Sequence, residues 1–259
     1  MFNTCVSNMF MLYLIYQMEI ITTKREVIKV IQELSIKVYL LESISSSEMM
    51  GKIANLIDGT LVKCDEYRRF HQENKYKGYS FDGFFKVELD GVYHQGNIYT
   101  FRIRTVDLAL AGYFEKNLFS AFTKEIKVLT VSIRNIVKKH IEKVFSITPI
   151  VIKNDFGYWR SNMTINDYER RIKENLIKNY NTFYGKKIDE DFELFTHMEF
   201  NNRKPIVVPF KNNISLLGDK ITLHVSENEM AQSLAYFALG VGIGENGSRG
   251  FGFSGYKYL

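Results

Sequence analysis

Cysteine and proline are both scarce in this sequence of 259 residues, which contains two cysteines and three prolines. Cys5 and Cys64 lie far apart and show no metal-ligand spacing, so we predict a reduced, cytoplasmic protein without a disulfide framework. No cluster of Asp, Glu and His residues has the spacing of a metal site, so we expect no metal and no other cofactor. The GKS and GKT motifs are absent, which excludes a Walker phosphate-binding loop.

Long hydrophobic runs are also missing. The apolar run at residues 9–16 has only eight residues, which is too short to span a bilayer. No Lys or Arg precedes Lys24, so the basic segment that opens a signal peptide is absent. We therefore expect no membrane association, and we interpret residues 1–32 as an N-terminal extension of unknown role, with Met18 as an alternative start.

The overall composition is that of an ordinary globular protein. Hydrophobic residues make up 46% and charged residues 24% of the chain, which is long enough for one large domain or two small ones. The net charge of +5 permits nucleic-acid binding without requiring it. The 16 tyrosines and 20 phenylalanines can fill a core and still leave some rings available for stacking on bases.

Glycine is concentrated near the C-terminus, where residues 240–255 contain seven of the 17 glycines. A segment with so few side chains allows its backbone N–H groups to approach a ligand closely and to adopt positive φ angles. Arg249 adds a fixed positive charge that suits phosphate. We predict that this loop holds a polyanion through Gly244, Gly247, Ser248, Arg249 and Gly250.

Residues 242–247 match the GxGxxG pattern of dinucleotide-binding folds, but their context excludes that function. The pattern needs a preceding strand and a following helix, whose N-terminus holds the pyrophosphate. Here residues 226–229 predict a capping box that opens a helix before the glycines. After the glycines, Phe251 and Phe253 indicate a final strand rather than a flexible tail. The order of elements is reversed, and no Rossmann unit fits.

The remaining chain contains two copies of one pattern of elements. The first copy has predicted strands at residues 34–41, 79–89, 97–104 and 125–133, and helices opened by a capping box at residues 45–48 and spanning residues 107–122. The second copy has strands at residues 145–152, 192–199, 205–226 and 251–256, and helices at residues 164–184 and 227–239. The Asp90-Gly91 pair predicts a hairpin turn within the first copy.

The order β-α-β-β-α-β in each copy is that of a ferredoxin-like unit. We therefore predict an α+β fold with two tandem ferredoxin-like domains, at residues 33–144 and 145–259, and a C-terminal glycine-rich loop. No linker rich in Pro, Gly or Ser separates the two copies, so we expect them to pack together.

Three segments, taken in order, resemble one known family. They are the histidine-to-lysine block at residues 70–81, the TPIVI and ENLIKNY segments at residues 148–152 and 174–180, and the Gly-Ile-Gly and Gly-Phe-Gly motifs of the C-terminal loop. They resemble the CRISPR-associated endoribonucleases that process repeat RNA, within the repeat-associated mysterious protein (RAMP) superfamily. The resemblance runs from about residue 33 to the C-terminus.

This resemblance implies a metal-independent endoribonuclease that cleaves the CRISPR repeat RNA in precursor transcripts to give guide RNAs. The 2′-OH would attack the adjacent phosphate, leaving a 2′,3′-cyclic phosphate and a 5′-OH. It also implies that RNA lies in a basic cleft between the two sheets. Such a reaction needs a proton acceptor, a proton donor and cations around the transition state.

Histidine is the side chain that titrates nearest to neutral pH without perturbation, and the chain has five. We place His94 beside a turn, His140 on a helix face, His197 in an ill-defined segment and His224 within a strand. Only His71 lies in a polar connection dense in cations. A solvated surface residue is the alternative role for any single histidine of this kind.

The resemblance assigns the acid–base role to His71 and the stabilisation of transition-state charge to Lys77. Around them, Arg68, Arg69 and Lys75 are expected to bind RNA, and Lys75 is a competitor for the role of Lys77. The family often has a tyrosine about fifteen residues before the histidine, but Leu56 and Ile57 occupy that region here. Tyr67 or Tyr76 could substitute for it, or the histidine could act alone.

Two other interpretations stay open at this point. The chain could be a non-cleaving RNA-binding subunit of the same superfamily within a CRISPR interference complex, or a ferredoxin-like protein unrelated to RNA. His71 and Lys77 favour the enzyme, because a protein that only binds RNA has no need of a titratable group beside lysines. The expected partners are the repeat RNA and other CRISPR-associated proteins, with the chain as a monomer or a homodimer.

Overall fold

The structure is a computed structural model that describes residues 30–73, 75–210 and 214–259. Residues 1–29, which make up most of the predicted N-terminal extension and include Cys5 and Met18, lie outside the described residues. Across the described ranges, no helix is long and apolar enough to cross a bilayer.

The N-terminal half contains a four-stranded antiparallel sheet with helices between its strands. Its elements are β1 (Ile31–Leu40), α1 (Ser46–Leu61), α2 (Asp65–Gln72), β3 (Tyr79–Phe81), β5 (Ile98–Thr105), α3 (Leu108–Leu118) and β6 (Ile126–Ile136). The strand order is β3-β5-β1-β6. Two short strands, β2 (Ile44–Ser45) and β4 (Val92–Tyr93), pair separately.

The C-terminal half repeats the arrangement. Its elements are β7 (Ile141–Ser146), α4 (Ile165–Tyr184), β8 (Phe195–Phe200), β11 (Ile221–Val225), α5 (Glu229–Val241) and β12 (Ser254–Tyr258), with sheet order β12-β7-β11-β8. A hairpin of β9 (Ile206–Pro209) and β10 (Ser215–Gly218) is inserted before β11.

Each sheet places its first strand beside its third and fourth, which is the strand order of a ferredoxin-like unit. The predicted α+β fold with tandem ferredoxin-like halves is confirmed. The domain ranges stay a prediction, and β7 begins at Ile141, before the predicted start of the second domain at residue 145.

Two predicted capping boxes differ from the observed helix starts. At α1, Ser45 is the N-cap residue, but its hydroxyl donates to the Glu48 carboxylate at 2.6 Å and does not cap a backbone N–H. At α5, the N-cap residue is Asn228 and not Ser226. The Asn228 side chain accepts hydrogen bonds from the N–H groups of Met230 and Ala231, which is the usual role of asparagine at this position.

Three predicted strands are shorter than expected. The segment at residues 79–89 is a strand only over Tyr79–Phe81, and the turn at Asp90-Gly91 leads into β4, which pairs with β2 instead of forming a hairpin in the main sheet. β7 ends at Ser146, before Pro149, which has no N–H to donate. β12 begins only at Ser254. Sequence periodicity cannot distinguish a buried extended connection from a paired strand.

The two halves share buried contacts, as the missing linker predicted. The Tyr236 hydroxyl on α5 accepts from the N–H of Ile31 at 3.1 Å and donates to the carbonyl of Ile136 at 2.6 Å. Arg104 on β5 donates to Glu33 at 2.6 Å and to the carbonyl of Ser254, in the other half, at 2.6 Å.

The buried Glu33–Arg104 pair also makes the fold sensitive to acid. Burial by itself raises the pKa of Glu33, but Arg104 and Arg134 outweigh this effect and lower the pKa below its ordinary value. A carboxylate with a lowered pKa stabilises the folded state at neutral pH. This contribution is lost as the pH falls through the lowered pKa of Glu33.

Candidate active site and RNA interface

His71 lies on a helix, and not in a connection between elements as the sequence analysis predicted. It is near the C-terminal end of α2, whose first turn carries Asp65 and Glu66 and whose last turn carries Arg69 and His71. This charge order complements the helix dipole. The helix has no fully buried residue, and only Tyr67 and Phe70 pack against the core, so its apolar face is too short to predict a helix from periodicity.

The His71 imidazole contacts a carboxylate from another helix. Its Nδ1 atom lies 3.3 Å from Oδ1 of Asp58, in the last turn of α1. The other carboxylate oxygen of Asp58 pairs with Arg249 of the glycine-rich loop at 2.6 Å. The His71 and Asp58 side chains are each 22% exposed. Three segments that are distant in the sequence therefore meet at one half-buried cluster.

Lys77 lies beside this cluster, but its ammonium group already donates to nearby backbone carbonyls. It donates to the backbone carbonyls of Phe70, of His71 at 3.2 Å and of Glu73 at 2.6 Å. Lys77 thus satisfies carbonyls at the C-terminal end of α2, which have no partner within the helix. Burial lowers the pKa of Lys77, and the charge of Arg249 lowers it further against the opposing effect of Glu73.

The other predicted RNA-binding cations surround His71 on an exposed surface. Arg68 donates to the Asp65 carboxylate at 2.9 Å and to the carbonyl of Val62 at 2.9 Å. Arg69 donates to the carbonyl of Asp65 at 3.4 Å. Lys75 pairs with Glu73 at 3.0 Å. Exposed pairs of this kind are weak, so these cations remain available to a polyanion.

Neither tyrosine suggested for catalysis is well suited to proton transfer. The Tyr67 ring packs on Tyr113, with 4.1 Å between ring centroids, and burial raises the pKa of its phenol. Burial also raises the pKa of Tyr76, whose ring packs near Phe237. A phenol with a raised pKa is a poorer proton donor at neutral pH.

The glycines of the C-terminal loop let the chain approach itself. A Cβ atom at Gly244 would lie 2.7 Å from the carbonyl oxygen of Val151, and one at Gly247 would overlap the carbonyl oxygen of Val241. Gly250 has a φ of +86°, and its Cβ would overlap the Met50 side chain. Self-packing accounts for these glycines, and contact of the loop with RNA stays a prediction.

Gly252 provides the sharpest test of this packing. Its φ is +65°, and a Cβ atom there would overlap the carbonyl of Ile243, so we expect Gly252→Ala to destabilise the fold by about 2–3 kcal/mol. The control is Gly112→Ala in α3, where nothing lies within 4 Å and alanine should add about 0.5–1 kcal/mol. Urea denaturation of both variants measures the difference. A Gly252→Ala protein as stable as the wild type contradicts the packing explanation.

A cleft of about 860 Å³ lies between the two halves next to Arg249. It contains three cations that come from different parts of the chain, Arg102, Lys220 and Arg249. Aromatic and aliphatic side chains form much of its wall, and Asp82 and several serine and threonine side chains also line it; the apolar residues include Phe84, Phe85, Val87, Ile147, Pro149, Val207 and Phe251. A cleft with mixed cations and aromatic rings suits a strand of RNA better than a small polar ligand.

The open face of the C-terminal sheet carries a row of basic residues that the sequence analysis missed. The strand register places Lys257 beside Lys143, Lys143 beside His224, and His224 beside His197. Phe145 lies two residues along β7 on the same face and is exposed. The alternation of residues within each strand is a signal that the sequence contains. The register that aligns the four residues across the strands can be seen only in the tertiary structure.

Comparisons with known proteins agree with this architecture. Residues 132–255 match the family model described as CRISPR associated protein Cas6, C-terminal. A search of curated protein sequences finds no match.

Several solved structures share the fold across most of both chains. A CRISPR associated protein Cas6 has a TM-score of 0.67 and 20% identity, over 88% of this chain and 99% of that one. A protein described as a RAMP protein binding different RNA substrates has a TM-score of 0.66 and 17% identity, over 87% and 99% of the two chains. A Cas6-related protein from Pyrococcus furiosus has a TM-score of 0.58 and 16% identity, over 88% and 98%. The chain combines this fold with a Cas6 C-terminal sequence, and it is residues 132–255 that belong to the Cas6 family of CRISPR-associated proteins.

Proposed function

We propose that this protein is an endoribonuclease that cleaves the repeat RNA of precursor CRISPR transcripts without a metal ion. The observation that carries this proposal is the contact of His71 with Asp58, whose other carboxylate oxygen pairs with Arg249, at a half-buried site. A similar fold occurs in a Cas6 product complex, at a TM-score of 0.60 and 15% identity, which supports a role in RNA processing.

The proposed reaction is a transesterification within the RNA. The 2′-OH attacks the adjacent phosphorus, the bond to the 5′-oxygen breaks, and the products are a 2′,3′-cyclic phosphate and a 5′-OH. His71 exchanges a proton with one of the two oxygens, either as the base for the 2′-OH or as the acid for the departing 5′-oxygen. Arg249 and Lys77 provide positive charge near the phosphate as its negative charge increases.

The two predicted cations act under different constraints in this proposal. Arginine has five N–H donors, so the pair with Asp58 leaves donors of Arg249 for a phosphate oxygen. Lys77 must release at least one carbonyl of α2 before it can reach a phosphate. Arg249 therefore has donors that are free to bind a phosphate, whereas Lys77 must first give up an existing hydrogen bond.

We place the RNA along the cleft and across the basic row of the C-terminal sheet. Lys143 and Lys257 can contact backbone phosphates, and the exposed ring of Phe145 can stack on a base. The RNA contacts predicted for Gly244, Gly247, Ser248 and Gly250 would extend this path onto the loop that carries Arg249. Binding through phosphates and stacking does not itself require cleavage, so the non-cleaving subunit remains the second candidate.

The decisive experiment incubates the pure protein with the host's own repeat RNA in EDTA. We expect cleavage at one position, with a 2′,3′-cyclic phosphate on the upstream product and a 5′-OH on the downstream product. Tight binding without cleavage would support the non-cleaving subunit instead. Absence of specific binding would contradict both RNA functions.

The proposed RNA path predicts an electrostatic effect at Lys143. Loss of one phosphate contact should lower the slope of log K against log salt by about 0.7 for single-stranded RNA. We therefore expect Lys143→Ala to weaken affinity for repeat RNA at low salt and to reduce this slope. Lys178→Ala, at an exposed position on α4, is the matched control. If Lys143→Ala, Lys178→Ala and the wild type all have the same salt slope, the RNA does not cross this face of the sheet.

A further inference from the structure

The Asp58 carboxylate is an unexpected part of the cluster, because no motif in the sequence singles it out. It comes from the last turn of α1, whereas His71 comes from α2 and Arg249 from the loop before β12. Its Oδ2 atom pairs with Arg249 at 2.6 Å, and its Oδ1 atom faces Nδ1 of His71 at 3.3 Å. Asp58 therefore contacts both His71 and Arg249, and in this way connects the histidine to the glycine-rich loop.

An ionised carboxylate can only accept hydrogen bonds, so the ring nitrogen that faces it should carry the proton. In a neutral imidazole this arrangement puts the hydrogen on Nδ1 and leaves Nε2 as the free acceptor. Within the part of the chain that the structure describes, Oδ1 of Asp58 is buried and has no hydrogen bond of good geometry. An unsatisfied buried acceptor is costly, and a small rotation of the His71 ring would satisfy it.

Two cations hold the other parts of this arrangement in place. The Arg249 guanidinium restrains the Asp58 carboxylate through Oδ2. Lys77 donates to the backbone carbonyl of His71 and so restrains the main chain of the same residue. The Asp58 carboxylate and the main chain of His71 are therefore both restrained before any RNA binds.

We propose that Asp58 is a positioning residue for His71, which holds the imidazole with its proton on Nδ1 and directs Nε2 to the RNA. This proposal rests on the proposed catalytic role of His71. The competing explanation is that the Asp58–Arg249 pair only ties α1 to the C-terminal loop. The two explanations differ in what Asp58 does to the His71 ring, which can be measured without RNA.

The first test is the tautomer of His71 by ¹⁵N NMR in the full-length protein, with its signals assigned by their loss in His71→Gln. We expect the Nδ1–H tautomer at a pH where the ring is neutral. In Asp58→Asn, the Arg249 guanidinium can only donate hydrogen bonds, so it stays paired with the amide oxygen of the new side chain. The amide NH₂ group then faces His71 and donates to Nδ1, so the imidazole proton moves to Nε2. A wild-type protein with the Nε2–H tautomer would overturn the proposal, even if Asp58→Asn failed to fold.

The second test is the pH profile of single-turnover cleavage. We expect Asp58→Asn to slow cleavage by about 10–100-fold, as for other residues that orient a functional histidine. The rate should be lower at every pH of the profile, because the ring no longer presents Nε2 to the RNA. Glu66→Gln, on the same helix as His71, is the control that should match the wild type.

The outcomes separate the two proposals. A wild-type protein that binds repeat RNA but never cleaves it contradicts the proposed function, while the tautomer experiment still decides the role of Asp58. A wild-type protein that depends on His71, together with an Asp58→Asn variant of equal rate and pH profile, contradicts only the positioning role. A lower melting temperature of Asp58→Asn with unchanged rate and tautomer would show that the residue only ties the loop to α1.

Discussion

His71→Ala is expected to slow single-turnover cleavage of the repeat RNA by about 10²–10⁴-fold, the usual contribution of a positioned acid or base. The affinity for RNA should change little, because the phosphate contacts are assigned to cations and the loop. The measurement is cleavage at saturating protein, together with the dissociation constant of the same RNA. Loss of rate without loss of binding would place His71 at the chemical step.

A matched control for this variant is His94→Ala. His94 is an exposed histidine paired with Asp90 at 2.9 Å, and it lies outside the Asp58–His71–Arg249 cluster. It should leave both rate and affinity unchanged. Wild-type cleavage by His71→Ala would move the catalytic role elsewhere, and a tyrosine–lysine pair would be the next candidate.

A 2′-deoxy substitution immediately upstream of the cleavage position is expected to abolish cleavage and to leave binding intact. The reason is chemical, since the attacking oxygen is then missing from the substrate. The measurement compares the modified repeat RNA with an RNA that carries the same substitution one nucleotide away. The neighbouring substitution should be cleaved at the rate of the unmodified RNA.

Two results would contradict this mechanism. One is cleavage of the 2′-deoxy substrate at the normal position, because water would then have to be the nucleophile. The other is inhibition of wild-type cleavage by EDTA, which would indicate a metal-activated water. Either result would leave the family and the fold unchanged and would reassign the chemistry of the site.

Local sequence signals were sufficient for many elements of this fold. Helix α4 was predicted at residues 164–184 and is observed at Ile165–Tyr184. Thr164 forms a full capping box with Asp167, and Gly185 ends the helix in the left-handed conformation. Both signals act within a few residues of the helix ends, so they can be recognised without knowledge of the tertiary structure.

The incorrect predictions fall where neighbouring residues compete or where long-range contacts decide. Ser226 and Asn228 can both cap a helix, and only the observed helix start shows that Asn228 does so. His140 was placed on a helix face, but it lies in the connection between β6 and β7. The segment after Ser146 has the apolar pattern of a strand, but it supports the glycine-rich loop through bonds such as that from Gly252 to the carbonyl of Pro149.

The residues of the candidate site also differ in whether local sequence signals could identify them. His71 and Lys77 were selected from the sequence because titratable and cationic residues are close together in that segment, and their roles remain predictions. Asp58 could not be selected, since an aspartate near the end of an amphipathic helix is ordinary in any sequence. Its significance comes from the approach of Arg249, which is 191 residues away along the chain.

Residue patterns alone were sufficient to predict the α+β class and the repeated order of strands and helices, and to select His71 as a candidate site residue. These features depend on periodicity, capping and turn residues, which act over short distances along the chain. Three features could be seen only once the chain had folded: Asp58, His71 and Arg249 meet, Lys77 caps α2, and four basic residues align across β12, β7, β11 and β8. Such features depend on strand register and on the packing of the two halves, because side chains distant in sequence become neighbours only when the sheets and helices pack together.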